Sequence, residues 1–145
     1  MAIHSASAQW HGDLVRGRGT VSAASGPFHE LPVSWGQRTE AEGSGTSPEE
    51  LLAAAHAACF CMAFSGGLAK NGTPPERLSV VVTVSFERTD GLYAVASSAI
   101  DVRGWVDNID PETFSRLAQE AKEGCPISRA LGGNVRLSVE ASLAG

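Results

Sequence analysis

With 145 residues, 43% of them hydrophobic, the chain is long enough to bury a core without metal or disulfide staples. Sixteen acidic residues against eleven basic ones leave a net charge of −5, which argues against nucleic acid or an anionic membrane surface as the main partner. Three cysteines, an odd number, fit reactive thiols in a reducing compartment better than a disulfide framework.

The opening MAIHSASAQW has neither the charged nor the apolar region of a signal peptide, so a cytoplasmic location is expected. The first forty residues read as short strands over Ser7–Trp10, Val15–Ala23 and Leu31–Arg38, separated by glycines and Pro27. A flexible loop is expected over Glu42–Thr46. Ser47-Pro48-Glu49-Glu50 then marks a helix start: a capping hydroxyl, a proline at the first helical position, and a glutamate placed to close a capping box. The helix is predicted to run to about Lys70 and to stop at Asn71-Gly72. Apolar on nearly every side, it is expected at the centre of the fold, wrapped by other elements. Its uncharged run Leu51–Ala69 approaches membrane-span length. Ala and Gly dominate that run, however, and it holds His56 and two cysteines, so a helix buried in protein fits better and no membrane partner is expected.

From Leu78 onward apolar and polar residues alternate, with Leu78, Val80, Val82, Val84 and Phe86 on one face. Asp90-Gly91 turns the chain, and a strand from Tyr93 to about Val106 returns with Ala94, Ala96, Ile100 and Val102 inward. Asp110-Pro111-Glu112 opens a second helix with the apolar stripe Phe114, Leu117, Ala118 and Ala121, ended by Gly124. Pro126–Leu131 is expected as a short helical turn and Val135–Leu143 as a final strand. Strands flank helices without regular βαβ alternation, which predicts an α+β fold with mostly antiparallel sheet in one domain over 1–145.

Glu49, Leu52, His56, Cys59 and Ala63 recur at spacings of three and four, so they share one face of the long helix. Glu49 and Cys59 are separated by about 15 Å of helical rise and cannot touch within one chain. A symmetry-related helix packed antiparallel would bring them together, which points to a two-fold homodimer with shared sites. A mid-helix thiol gains nothing from the helix dipole, and burial raises its pKa, so Cys59 needs a cation. Candidates are Arg16, Arg18, His56 and Arg38; the last, near the end of the third strand, could bridge a thiolate to Glu49. Cys125 stands directly before Pro126, where it can cap a short helix whose N–H groups favour a thiolate. The two sulfurs could divide labour. Cys59 would attack a peroxide O–O bond and become a sulfenic acid, Cys125 would condense with it, and an external dithiol would reopen the disulfide. Phe60, Met62, Phe64 and Ile127 could supply apolar walls that favour organic peroxides.

Blander readings stay open. A cysteine in an apolar helix is as readily a packing residue. Cys61, about 200° round the helix from Cys59, is read as one. His56 could be a core histidine bonded to a carbonyl, an orienter of the site, or a ligand. With Cys59 and Cys125 it would form a minimal zinc set that lacks a fourth member. A non-enzymatic dimer holding a small ligand in an apolar cleft is a further alternative. Spacing alone does not show that Cys59 and Cys125 meet. Arg16 and Arg18 read as a solvated strand edge, and Trp10, Trp35 and Trp105 as core or interface anchors.

Three segments resemble the OsmC/Ohr family of osmotically inducible and organic-hydroperoxide-resistance proteins, in its OsmC branch. They are Trp10-His11-Gly12-Asp13 leading into Arg16–Ser22, Ser47-Pro48-Glu49-Glu50-Leu51 running through Ala54–Phe60, and Gly124-Cys125-Pro126-Ile127-Ser128. The resemblance spans nearly the whole chain. It implies an OsmC-like fold, with antiparallel sheets wrapped around two long central helices in an intertwined homodimer. It also implies cysteine-dependent reduction of organic hydroperoxides, and less efficiently of hydrogen peroxide, to alcohols in oxidative and osmotic stress defence. The route would be a Cys59 sulfenic acid and a Cys59–Cys125 disulfide, with no metal or organic cofactor and a thioredoxin-like or lipoyl-type dithiol as reductant. Cys59 matches the family's peroxidatic cysteine, Cys125 the resolving one, Glu49 the motif's glutamate and Arg38 the branch's arginine. Ser47 stands where asparagine is expected and still caps a helix. Cys61 stands where a small or apolar residue is more usual.

Overall fold

The computed structural model describes residues 1–41 and 43–145; of the loop expected over Glu42–Thr46, Glu42 lies outside the described residues. The chain groups into two compact units, Met1–Leu51 and Leu52–Gly145.

In the first unit, β1 (Ala6–His11), β2 (Arg18–Ala23) and β3 (Leu31–Val33) form an antiparallel sheet in that order. The strand expected from Val15 begins only at Arg18, because the preceding residues close a turn. The Gly17 N–H donates to the Asp13 carbonyl at 2.9 Å, and Arg16 donates to the Asp13 carboxylate through its backbone N–H at 2.8 Å and its Nε at 2.9 Å. Arg16 therefore belongs to a turn rather than to a strand edge. The predicted strand Leu31–Arg38 also divides. β3 stops at Val33, and the Ser34 hydroxyl accepts from the Gln37 N–H, which starts the short helix α1 (Trp35–Glu40). The serine satisfies an N–H that a ladder would otherwise have used, so a helix replaces the second half of the strand. Arg38 consequently sits in the last turn of a helix.

The long helix α2 (Pro48–Lys70) starts and stops as its sequence predicts. The Ser47 hydroxyl accepts from the Glu50 N–H at 3.1 Å, but the capping box does not close, because the Glu50 carboxylate accepts from the Thr46 hydroxyl at 2.6 Å instead. At the other end Gly72 takes a φ of 82°, the left-handed conformation that glycine adopts without penalty.

In the second unit β4 (Arg77–Thr89) and β5 (Leu92–Trp105) form an antiparallel hairpin. The helices α3 (Pro111–Gly124) and α4 (Pro126–Leu131) carry the chain back, so that β6 (Arg136–Leu143) joins the sheet parallel to β5. A helical crossover is the connection that a parallel pair requires, and its presence makes the sheet mixed rather than purely antiparallel. The Asp110 carboxylate caps α3 by accepting from the Thr113 N–H at 3.0 Å. The predicted stripe Phe114, Leu117, Ala118 and Ala121 is buried against Phe60, Phe64 and Leu68 of α2 and Ile100 and Val102 of β5. Gly104 lets the Phe114 ring lie on β5: a Cβ there would come within 2.5 Å of the ring's Cζ.

Among the described residues, none covers one face of α2. His56, Phe60, Phe64 and Leu68 form a buried stripe at four-residue spacing. Ala54, Ala58, Met62 and Gly66 repeat that spacing on another face and are exposed, Met62 by 75%. The low amphipathicity that made the helix look fully enclosed reflects two apolar stripes, one of which the described residues leave open. By length and composition α2 could also cross a membrane. Its buried stripe instead packs with α3 and β5.

Candidate active site

Cys59 on α2 and Cys125 at the α3–α4 junction are brought together inside the second unit. Their Sγ atoms lie 2.7 Å apart, although 66 residues separate them in the chain. Both are free thiols; a disulfide bond would measure about 2.05 Å. The local sequence explains the junction. The Cys125 N–H donates to the Ala121 carbonyl at 2.9 Å, ending α3, and Pro126 fills the first position of α4, where its missing N–H costs nothing.

The two sulfurs differ in environment. Cys125 is fully buried and Cys59 is partly exposed. Burial raises the Cys59 thiol above its usual value, and the hydrogen bond with Cys125 raises it further. Burial also opposes ionisation of Cys125, but the hydrogen bond it shares with Cys59 and the nearby polar groups of Ser128 and Ile127 together outweigh it and lower its pKa. The sulfur makes no full capping hydrogen bond with α4, so these groups act by favouring charge nearby. Cys125 is thus the better seat for the negative charge and Cys59 for the shared proton.

Arg38 and Glu49 are brought together inside the first unit. The Arg38 Nε donates to the two Glu49 carboxylate oxygens at 3.0 and 3.3 Å, and Nη2 donates to Oε1 at 2.9 Å. Glu49 is only 7% exposed, so this forked pairing is what compensates its desolvated charge. Beside it a cavity of about 350 Å³ is lined by Trp10, Leu14, Val33, Trp35 and Pro48, with Arg38 at its wall. The ion pair and the sulfur pair thus belong to different units. Of the apolar walls expected around the sulfurs, Phe60 and Phe64 are core residues with no exposure, and Met62 lies on the open face of α2. Trp10 and Trp35 line the cavity, while the guanidinium groups of Arg77 and Arg103 lie over the Trp105 ring, at 4.4 and 5.4 Å from its centroid. Cys61 is half-buried, and burial pushes its thiol up.

His56 has no exposure, and its partners are hydroxyls rather than a carbonyl. Nδ1 lies 2.7 Å from Ser98 Oγ on β5, and Nε2 lies 2.7 Å from Ser128 Oγ on α4. With both ring nitrogens engaged, neither lone pair is turned toward Cys59 and Cys125, and the zinc set suggested by the sequence is not assembled. Among the described residues no group of three or more His, Cys, Asp or Glu side chains is placed to hold a metal ion. Ser98 and Ser128 were not singled out in the sequence. The signal for them was the buried imidazole itself, which needs two partners, and Ser98 continues the inward register of Ala96, Ile100 and Val102.

Burial lowers the His56 pKa below its reference of 6.5. The unfolded chain therefore takes up a proton near pH 6.5 that the folded chain refuses. The stability held by neutral His56 is complete above that pH and is lost as the pH falls toward the lower folded-state value. The urea midpoint should drop between about pH 7 and about pH 5.5, and the drop should shrink in His56→Gln. Equal acid sensitivity in the two proteins would contradict this assignment.

A family model described as OsmC-like protein matches residues 41–140. The chain is 40% identical over 141 residues to a protein named Peroxiredoxin OsmC from Escherichia coli strain K12, covering 97% of this chain and 98% of the relative. It is 35% identical over 104 residues to an Organic hydroperoxide resistance protein-like 1 from Staphylococcus epidermidis, covering 70% of this chain and 74% of the relative. The crystal structure of the organic hydroperoxide resistance protein OhrB of Bacillus subtilis superposes with a TM-score of 0.76 at 25% identity, over 95% of this chain and 98% of that one. An OsmC structure from Legionella pneumophila gives 0.74 at 26% identity, over 98% and 99% of the two chains. With the family model spanning most of its length and a relative of this identity matched nearly end to end, the chain belongs to the OsmC family and has its α+β fold.

Proposed function

We propose that this chain is a cysteine-based peroxidase that reduces organic hydroperoxides, and hydrogen peroxide less efficiently, to alcohols in stress defence. The observation that carries the reading is the 2.7 Å approach of Cys59 to Cys125. Relatives named for peroxiredoxin activity and organic hydroperoxide resistance support it. Cys59 is the more accessible sulfur and serves as nucleophile; a guanidinium brought beside it by a second copy of the chain would draw the charge to Cys59 and leave the shared proton on Cys125. The Cys59 thiolate attacks the terminal peroxide oxygen, the O–O bond breaks, and the leaving alkoxide takes the proton held by Cys125 and departs as the alcohol. The Cys125 thiolate so formed then attacks the sulfur of the Cys59 sulfenic acid, the S–O bond breaks, and hydroxide leaves, taking a proton from solvent to become water. An external dithiol, thioredoxin-like or lipoyl-type, returns the disulfide to two thiols.

The working form would be a cytoplasmic homodimer, each chain forming one OsmC-like domain over 1–145. The open stripe Ala54, Ala58, Met62 and Gly66 on α2 supports this, since a second copy would cover it. In that dimer the Arg38–Glu49 pair of one protomer would face Cys59 of the other, where the guanidinium lowers the thiol's pKa and polarises the peroxide. The apolar cavity beside Arg38 would suit the organic part of the substrate.

The decisive experiment is mass spectrometry of protein treated with one equivalent of cumene hydroperoxide. A loss of two hydrogens, mapped to a peptide pair joining Cys59 to Cys125, is the expected result. Oxidation confined to Cys61, or intact thiols after the peroxide is consumed, would reject the assignment.

A further inference from the structure

The peroxidase cycle leaves His56 without a task, yet its ring joins three elements of the second unit. The residue belongs to α2; its Nδ1 lies 2.7 Å from Ser98 Oγ on β5 and its Nε2 lies 2.7 Å from Ser128 Oγ on α4. Ser98 and His56 have no exposure and Ser128 has 2%. The two ends of this link differ in firmness. Ser98 stands on the central strand of its sheet, paired with Val84 of β4 and Leu137 of β6, so it is held from both sides. At six residues, α4 is too short a helix to persist without tertiary support. Its local backbone bonds, from the Arg129 N–H to the Cys125 carbonyl at 3.0 Å and from the Gly132 N–H to the Ser128 carbonyl at 2.8 Å, hold its shape and not its place. Among the described residues of α4, Ser128 is the one that is buried; Ile127 and Leu131 are half-buried.

A hydroxyl at the most buried position of a short helix contributes little by leaving water, and it must find a partner. That partner fixes the helix more tightly than an apolar contact would. A hydrogen bond has a narrow range of length and angle, whereas apolar packing is non-directional. The placement of the bond gives it a consequence. His56 precedes Cys59 by three residues on α2, and Ser128 follows Cys125 by three residues into α4. The imidazole–hydroxyl link therefore runs beside the sulfur contact, about one helical turn away on either side. Either neutral tautomer of the ring serves, since each hydroxyl can donate or accept. The sulfurs stand 2.7 Å apart and need to close by less than about 1 Å to reach disulfide length.

We propose that Ser98, His56 and Ser128 are positioning residues, a brace from β5 through α2 to α4 that sets how far Cys125 stands from Cys59 and so directs the Cys59 sulfenic acid to the disulfide. This rests on the disulfide cycle proposed for the pair. Two steps compete for that sulfenic acid. In the productive one the Cys125 thiolate attacks its sulfur, the S–O bond breaks, the S–S bond forms, and hydroxide leaves and takes a proton from solvent. In the other, the sulfenate sulfur attacks the terminal oxygen of a second hydroperoxide and the O–O bond breaks. The alkoxide takes the proton of the transferred oxygen and departs as the alcohol, leaving Cys59 as a sulfinate that a dithiol does not restore. The first step is intramolecular and depends steeply on geometry; a misplacement of about 1 Å can cost about a hundredfold. The second depends on the hydroperoxide concentration. By holding α4 against α2, the brace keeps the first step ahead.

The test uses full-length protein carrying Cys61→Ser, so that the pair alone reports. Reduced protein is treated with increasing cumene hydroperoxide, and intact mass counts disulfide, a loss of two hydrogens, against sulfinic acid, a gain of two oxygens. That ratio does not depend on how fast the sulfenic acid formed. Ser128→Ala should reach equal amounts of the two products at about tenfold lower hydroperoxide than the parent, within the cost of a misplaced group. Ser98→Ala should move the ratio the same way by less, because the ring keeps its bond to α4. Val139→Ala is the control for stability. This half-buried β6 residue packs on the core outside the brace, and its truncation should lower the urea midpoint but leave the ratio alone. A folded Ser128→Ala protein with the parental ratio overturns the proposal, as does a Val139→Ala protein that shifts it equally. If Ser128→Ala does not fold, Ser98→Ala decides by the same readings. A second measurement needs no peroxide. Equilibrated with oxidised and reduced dithiothreitol, Ser128→Ala should form the Cys59–Cys125 disulfide with an equilibrium constant about tenfold below the parent's. An unchanged constant in the folded variant overturns the brace. Parent protein that forms the disulfide there but not with hydroperoxide would instead reject the peroxidase reading, and the lowered constant would still support the brace.

Discussion

Cys59→Ser should reduce consumption of cumene hydroperoxide by at least about a thousandfold, to the uncatalysed background. A serine hydroxyl in the same place is protonated at any physiological pH and is a poor nucleophile toward a peroxide oxygen, so neither the cation nor Cys125 can substitute for the sulfur. Cys125→Ser is the informative contrast. It keeps the attacking sulfur and should consume one equivalent of hydroperoxide per chain, leaving a Cys59 sulfenic acid that a dimedone probe can label. Turnover with a dithiol should then stop, because no intramolecular disulfide forms for the reductant to open. The two variants thus separate attack from recycling. Full hydroperoxide consumption by Cys59→Ser would mean that Cys125 or Cys61 is the nucleophile, and the division of labour would be wrong. Of the two, Cys125 has the lower pKa but no exposure, which is why access, rather than acidity, decides in favour of Cys59.

What could be read from the sequence is what local chemistry determines. The start of α2 at Pro48, its stop near Gly72 and the capping of α3 by Asp110 all follow from side chains within a few residues of the break. The inward register of Ile100 and Val102 on β5 follows from alternation, but a bulge at Ala96 breaks the pattern, and Ala94, expected inward, is exposed. Where a six-residue helix replaces the end of a strand, as at Trp35–Glu40, the segment is too short for a 3.6-residue period to show, and Ser34 was the sole cue. The parallel setting of β6 could not be told from its alternating pattern, because alternation fixes which face points inward but not the direction of the neighbour. The site divides in the same manner. Cys59, Cys125, Arg38 and Glu49 stand out by residue type and setting, whereas Ser98 and Ser128 join His56 across 42 and 72 residues and no local pattern announces them. The open stripe on α2 was hidden for a different reason: Ala and Met look alike in sequence whether they pack on their own chain or on another.

Phe64→Ala should lower the unfolding free energy by about 3–5 kcal/mol, measured by urea titration. Phe64 has no exposure and sits between two other rings, its centroid 5.4 Å from Phe60 and 5.0 Å from Phe114. Truncation removes the transfer energy of the ring and two tilted aromatic contacts, and it leaves a void that the neighbours cannot easily fill. Phe114 cannot relax freely into it, because its ring already rests against Gly104 on β5, and Phe60 belongs to the same α2 stripe, fixed by the helix backbone. Against a typical stability of about 5–15 kcal/mol, such a loss is a large fraction of the whole. Leu92→Ala is the control. Leu92 is 73% exposed near the β4–β5 turn, and its removal should change stability by no more than about 0.5 kcal/mol. The comparison tests burial rather than residue type. If Phe64→Ala cost less than about 1 kcal/mol, the three-ring stack would not be holding α2 to α3, and the position of Cys59 opposite Cys125 would need another support.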